Sequence, residues 1–467
     1  MFSKTDFLLK NLWHSETLCA LKEFVSIQSL SPSFDPDWER HGELRKAIEI
    51  AKSFGEKLLS NIQFEILESP GRSPLLFFEI PAFGDSASHG DVLFYGHLDK
   101  QPEGSGWSNN RYPFSAVQED TVLYGRGVAD DGYSFYSAVS IVKALESGGL
   151  SHPRIWGVFE TCEESGSFDF SHWMQLLAPR LSNVALILVL DAGCIDYSGL
   201  YVTTNFRGIL RATLKVSVLN HGVHSGVASG IVPDSFMIAR NLLDRLEDSS
   251  SGKILDKAFY TTIPATRLEQ LREKAKRITS FKHDFPWINA PITLSKTIEE
   301  NLIAQTWLPQ LTIIGAQGLP DINKAGNVLR ASTSLKLSLR LPPMIDSQAA
   351  ESALKRILLD DPPFGASVEL SDVSSSEGWN APEEAEWLSR EINDASLDIF
   401  GKPAVYSGEG GTLSICNVFQ STCPKAQFLL TGVLGPNSNA HGPDEALRLD
   451  YVEKLCCALS RIIVRVP

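Results

Sequence analysis

Long apolar runs are missing from this chain. No stretch of about 18 apolar residues occurs, so no membrane span is expected. The first ten residues, Met1-Phe-Ser-Lys-Thr-Asp-Phe-Leu-Leu-Lys, hold no long apolar core and no small-residue cleavage site, so no signal peptide is read there. Cysteine is scarce: seven in 467 residues, scattered, odd in number and without a Cys-x-x-Cys pair. That usage fits a reducing, cytoplasmic setting better than a disulfide framework. Positive charge is also short. Lys and Arg number 42 against 56 Asp and Glu, a net charge of −14. Nucleic acid and anionic membrane are disfavoured as main partners, because both need a basic surface. No Gly-x-Ser-x-Gly elbow occurs, which argues against a serine hydrolase. Cys162 has no His nearby in sequence to make it a nucleophile, and it reads as a small packing residue.

What remains is ordinary globular composition, 43% hydrophobic and 21% charged. The length suggests about two to four domains and does not limit core volume. Helical spacing covers residues 11–30 and 40–60, with a proline-rich loop between them. Apolar strands then alternate with helices: Phe64-Glu-Ile-Leu, Leu75-Leu-Phe-Phe-Glu-Ile, Asp91-Val-Leu-Phe-Tyr, a helix from Tyr133 to Leu145, Ile155-Trp-Gly-Val-Phe, and Val184-Ala-Leu-Ile-Leu-Val-Leu. Near-continuous apolar strands between helices predict an α/β fold with a mostly parallel sheet covered by helices. After about residue 203 the strands alternate apolar and polar instead. The order from there is β-α-β-β-α-β, that of a ferredoxin-like unit. Asp372-Val-Ser-Ser-Ser-Glu-Gly reads as its exit linker. The expected domains are therefore 1–204 and 376–467 as one α/β body, interrupted by an inserted α+β lid over 205–375.

Chemistry-bearing residues gather where strands end. His97 and Asp99 follow the third strand, two residues apart, so in extended chain they share a face. A metal-bound imidazole usually gives its other N–H to a carboxylate, which makes His-x-Asp a ligand with its orienter. Asp130, the pair Glu163-Glu164 and Asp191 occupy three more strand–loop junctions, and His441 follows late in the chain. Singly, each has a bland reading: a polar strand end, a solvated turn, a helix N-cap, a loop histidine. Together they supply the mixed His and carboxylate set that suits zinc, at the carboxyl ends of strands where open α/β sheets bind ligands.

The motifs Gly96-His97-Leu98-Asp99, Gly125-Arg-Gly-Val-Ala-Asp130-Asp131, Glu163-Glu164-Ser-Gly-Ser, Asp191 and His441 resemble the dizinc peptidase and amidohydrolase family of aminoacylase, carnosinase-type dipeptidases, glutamate carboxypeptidase and succinyl-diaminopimelate desuccinylase. The resemblance covers nearly the whole chain. It implies two Zn2+ per subunit, with Mn2+ or Co2+ as substitutes. His97 and Asp191 would hold one, Glu164 and His441 the other, and Asp130 would bridge them. It implies Asp99 as orienter of His97, Glu163 as general acid/base, and a cis peptide at Asp130–Asp131. Asn220-His-Gly-Val-His224-Ser-Gly resembles the lid motif whose His acts in the partner subunit's active site, which implies a homodimer; His221 is the alternative. Asn327, Arg340, Gly411 and Thr412 match segments that contact the substrate and its free carboxylate.

The chain departs from the pattern at Gly132-Tyr133, where dipeptidase relatives carry Lys-Gly. It departs again at Glu409 before the Gly-Gly loop, and at Asn327-Val-Leu-Arg330, where Asn-x-x-Pro is usual. None of these is a ligand position, so they bear on substrate identity. The activity implied is hydrolysis of a peptide or amide bond beside a free carboxylate, most like a dipeptidase. The alternatives are an N-acyl amino acid deacylase, such as succinyl-diaminopimelate desuccinylase or acetylornithine deacetylase, and, more remotely, a non-catalytic peptide-binding relative. His14, His41, His89, His152, His172 and His283 receive no role.

Overall fold

The computed structural model describes residues 2–86, 89–282 and 285–467, so His283 lies outside the described residues. The chain divides into two compact units. The first comprises Met1–Thr203, Ala381–Ser407 and Ile415–Pro467; the second comprises Thr204–Asn380 and Gly408–Ser414. Among the described residues, no helix is long and apolar enough to cross a membrane.

In the first unit we label five strands: β1 (Gln63–Ser69), β2 (Arg72–Ile80), β3 (Asp91–His97), β4 (Ile155–Glu160) and β5 (Val184–Val189). Their spatial order is β1-β2-β4-β3-β5, followed by the strand Gln427–Leu430. β4, β3, β5 and Gln427–Leu430 are mutually parallel neighbours. Every residue of β3 and β4 is buried, as a strand covered on both faces requires. The flank is antiparallel: β1 pairs with β2, and β2 with β4. Only Pro70 and Gly71 separate β1 from β2, and so short a link permits a hairpin but no parallel crossover.

Helices Glu43–Leu58, Tyr133–Gly148 and Leu449–Ile463 contribute their apolar faces to one core with the sheet, including Phe54, Phe135, Val139, Leu455 and Leu459. The first helical stretch begins earlier than its spacing predicts and ends earlier too. It runs from Ser3 to Val25, with a π-helical turn at Trp13–Thr17.

The second unit holds the β-α-β-β-α-β order as Gly208–Ser217, Ser235–Leu246, Gln310–Gln317, Ser332–Leu341, Ser347–Leu359 and Ser367–Ser376. Its four strands are antiparallel, with Gly208–Ser217 between Ser332–Leu341 and Ser367–Ser376. Alternate strand residues such as Leu210, Leu214, Leu335 and Leu337 pack on Ile238, Leu242, Leu354 and Leu358 of the two helices. Asp234 and Asp346 cap those helices, the first accepting Met237 N and the second Gln348 N and Ala349 N.

The segment read as an exit linker is instead mostly strand. Ser374, Ser375 and Ser376 pair with Arg211, Leu210 and Ile209 beyond a bulge. Asp372 takes the left-handed conformation at φ 49° and accepts the Thr213 hydroxyl at 2.9 Å. That contact absorbs the extra residue and lets the ladder continue.

Candidate metal centre and active site

Parallel register determines where the first candidates emerge. His97 at the end of β3 lies opposite Glu160 at the end of β4, and Tyr95 lies opposite Val189 of β5. The turn carrying Glu163 and Glu164 therefore leaves one neighbour of His97, and Asp191 leaves the other. Asp130 arrives just ahead of the helix Tyr133–Gly148. The peptide Asp130–Asp131 is cis, as the resemblance implies. His441 lies between the strand Gln427–Leu430 and the short strand Ala446–Arg448.

These side chains converge. His97 Nε2 lies 3.2 Å from Asp130 Oδ1 and 3.9 Å from Asp191 Oδ2. His441 Nε2 lies 3.0 Å from Asp130 Oδ2 and 3.1 Å from Glu164 Oε2. Two triads result, His97–Asp130–Asp191 and Asp130–Glu164–His441, each with its ligand atoms within 4.8 Å of one another. A tetrahedral ion with bonds of about 2.1 Å has ligand atoms roughly 3.4 Å apart, so both triads could hold one. Asp130 belongs to both and offers a different oxygen to each.

The electrostatics also fit cations. Hydrogen bonding to Asp130 and Glu164 pushes His441 up to about 11. Burial would lower His97, yet Asp130 and Asp99 hold it well above the usual imidazole range. Burial would likewise raise Asp130, but the two imidazoles hold it well below the usual carboxylate range. The pocket thus carries more carboxylate than its imidazoles balance, a donor set suited to divalent ions. Burial, then the Asp191 carboxylate, pushes Glu163 well up.

Asp99 acts in two directions. His97 Nδ1 lies 3.0 Å from the Asp99 main-chain oxygen and 3.4 Å from its Oδ1. The Asp99 carboxylate accepts the backbone N–H of Glu163 at 3.2 Å and of Glu164 at 3.0 Å. It therefore braces the acidic turn as well as adjoining His97. Ser165 Oγ ties the same turn to Ser31 and Ser33, and Gln101 donates to Glu164 at 2.7 Å.

The remaining candidates lie in the second unit and form two groups. His224 pairs with Val328 across a two-residue ladder, and Ser225 N donates to Asn327 O at 3.0 Å, so His224 and Asn327 are neighbours. The His224 ring is exposed and accepts Gly226 N. Arg340 Nη1 donates to Thr412 Oγ1 at 2.9 Å, in the loop that carries Gly411. Arg207, which sequence reasoning passed over, holds that loop through the Gly410 oxygen at 3.2 Å.

Sequence reasoning also missed Arg126 and Glu445. Both are buried beside Asp130 and bonded to each other at 3.0 Å. Their sequence trace is slight: Arg126 stands inside the Gly125–Asp131 motif, and Glu445 lies four residues beyond His441.

A family model described as Peptidase family M20/M25/M40 matches residues 93–465. The chain is 27% identical to human "Beta-Ala-His dipeptidase" over 467 aligned positions, covering 95% of this chain and 89% of that protein. It is 26% identical to "Cysteinylglycine-S-conjugate dipeptidase" of Corynebacterium striatum, covering 80% of each. The crystal structure of human carnosine dipeptidase 1 superposes with a TM-score of 0.77 at 22% identity, covering 100% of this chain and 99% of that one, and so shares its fold. With a family match that takes in both triads and extends over most of its length, the chain belongs to Peptidase family M20/M25/M40.

Proposed function

We propose that this protein is a dimetal dipeptidase that hydrolyses the peptide bond of a small substrate with a free carboxylate. The observation that carries the reading is the placement of Asp130, with one oxygen toward His97 and the other toward His441. In this reading His97 and Asp191 would hold one ion, Glu164 and His441 would hold the other, and Asp130 would serve both. The ion is zinc by ligand type, with manganese or cobalt able to use the same donors. Two such ions, when bound, polarise the scissile carbonyl and lower the pKa of an attacking water. Glu163 takes the proton of that water as general base and hands it to the departing amine nitrogen as general acid. Asp99 keeps His97 and the Glu163–Glu164 turn in place. Arg340 with Thr412 and Gly411 receives the substrate carboxylate, for which a planar guanidinium is suited, and Asn327, beside His224, contacts the substrate. His224 serves the partner subunit of a homodimer by stabilising the oxyanion. The names of the relatives, two dipeptidases of different specificity, support the dipeptide class. The sparse, unpaired cysteines support a cytoplasmic setting.

The test is metal analysis combined with a substrate panel: dipeptides against N-succinyl, N-acetyl and N-carbamoyl amino acids. Glu163→Gln should keep the metal content and lower kcat by about 10²- to 10⁴-fold. Undiminished hydrolysis by the Gln variant, or a purified protein that takes up no metal, would sink the reading.

A further inference from the structure

Glu445 lies four residues beyond His441 and is fully buried. Every hydrogen bond of its carboxylate runs to one segment. Oε1 accepts Ala129 N at 3.0 Å and Asp130 N at 3.1 Å. Oε2 accepts Gly127 N at 2.9 Å and Arg126 Nη1 at 3.0 Å. Its main-chain oxygen accepts Gly125 N at 3.0 Å. Arg126, 1% exposed, gives Nη2 to Gly442 O at 2.9 Å and to Glu103 O at 3.4 Å. One buried ion pair thus binds the backbone entering Asp130 to the loop that carries His441, across 315 residues of sequence between Asp130 and Glu445.

A buried ion pair is a poor device for stability alone. Apolar side chains of the same volume often do as well, because both charges must be stripped of water. An apolar pair cannot, however, accept three backbone N–H groups that no strand or helix partner satisfies. The arrangement at Glu445 is therefore specific to orienting the chain from Gly127 to Asp130. His97 and Asp191 do not depend on it, since they issue from neighbouring parallel strands of the central sheet.

The geometry points to Arg126–Glu445 as a positioning pair that sets the spacing of Asp130 from His441, and with it the affinity of the Asp130–Glu164–His441 position for its cation. Neither residue touches substrate; both act through the ligands. This inference rests on the dimetal reading above.

Cobalt(II) titration of the metal-stripped full-length protein tests it, read by visible absorption and calorimetry rather than turnover. The parent should take up two ions. Glu445→Gln should weaken the Asp130–Glu164–His441 position by about 10- to 100-fold, the range for groups that orient metal ligands, and the His97–Asp130–Asp191 position, which shares Asp130 but not the His441 loop, by distinctly less. Arg126→Met should do the same, and Arg126→Lys should fall between it and the parent. Arg461→Met, which breaks the Arg461–Asp6 pair joining the terminal helices, should leave both positions as in the parent and controls for lost stability. Far-UV circular dichroism and unfolding midpoints identify which variants are folded, and Arg126→Lys keeps the test open if Glu445→Gln is not. Parent-like affinity at both positions in the folded variants overturns the inference, as does equal loss at both. A parent that takes up fewer than two ions defeats the dimetal reading itself, a separate result.

Discussion

Gly132 offers a prediction whose sign distinguishes this structure from ordinary expectation. It stands at the start of the helix Tyr133–Gly148, with φ −52° and ψ −35°, a conformation that any residue adopts. At such a site Gly→Ala usually stabilises by about 0.4–1 kcal/mol, because the unfolded chain loses freedom. Here a Cβ would lie 2.4 Å from Gly127 O and 2.4 Å from a ring carbon of Phe24. Neither neighbour is free to retreat. Gly127 O accepts Gly132 N at 3.0 Å, and Gly127 N is held by Glu445. Phe24 is fully buried under Lys100, whose Nζ is 4.0 Å from the ring centroid. Overpacking of this kind costs about 1–3 kcal/mol. After the entropic gain, Gly132→Ala should be destabilised by about 1–2 kcal/mol. Urea unfolding with an unchanged slope measures it as a lowered midpoint. Because the clash displaces the chain between Gly127 and Gly132, metal affinity should fall as well. A midpoint at or above the parent's would refute the argument, and would mean that Phe24 repacks freely beside the Asp130 segment.

Lys100 is fully buried, with Nζ bonded to the carbonyls of Phe24 at 2.8 Å and Ile27 at 2.6 Å. Burial pushes it down to about 7 from an ordinary 10.5. Between those values the unfolded chain binds a proton that the folded chain does not, so stability rises with pH. Relative to Lys100→Met, the parent should gain about 3 kcal/mol between pH 7 and pH 9.5; a flat difference would show that the carbonyls keep the ammonium charged. The dimer reading predicts complementation. If His224→Ala and Glu163→Gln proteins are mixed in equal amounts and exchange subunits, half the dimers are mixed, each with one whole site. About a quarter of parental activity should therefore return. No recovery after demonstrated exchange would place His224 outside the partner's site.

The sequence alone determined the alternation of strands and helices, because burial on both faces leaves an unbroken apolar run and burial on one leaves a period of two or 3.6. The helix Ser347–Leu359 and the strand Val184–Val189 stand where their patterns put them. It also singled out His97, Asp130, Glu164 and Asp191 at strand–loop junctions and His441 late in the chain, and the structure brings these five together. Parallel pairing makes that possible for His97, Glu164 and Asp191, since adjacent strands running the same way deliver their ends to the same edge; Asp130 and His441 arrive on connecting segments.

Only the tertiary structure decided the rest. The Asp99 carboxylate grips the Glu163–Glu164 turn, a contact across a loop that no local spacing encodes. The strand beyond Asp372 continues because a partner strand is there to receive it. Gly132 is glycine because Phe24 and Gly127 occupy the space beside it. Glu445 reads in sequence as one more acid in a polar loop, and becomes the brace of Asp130 only when folding brings two distant segments within 3 Å. Hydrogen bonds between remote segments leave no periodicity behind, so a single sequence shows the parts of this site but not what holds them in register.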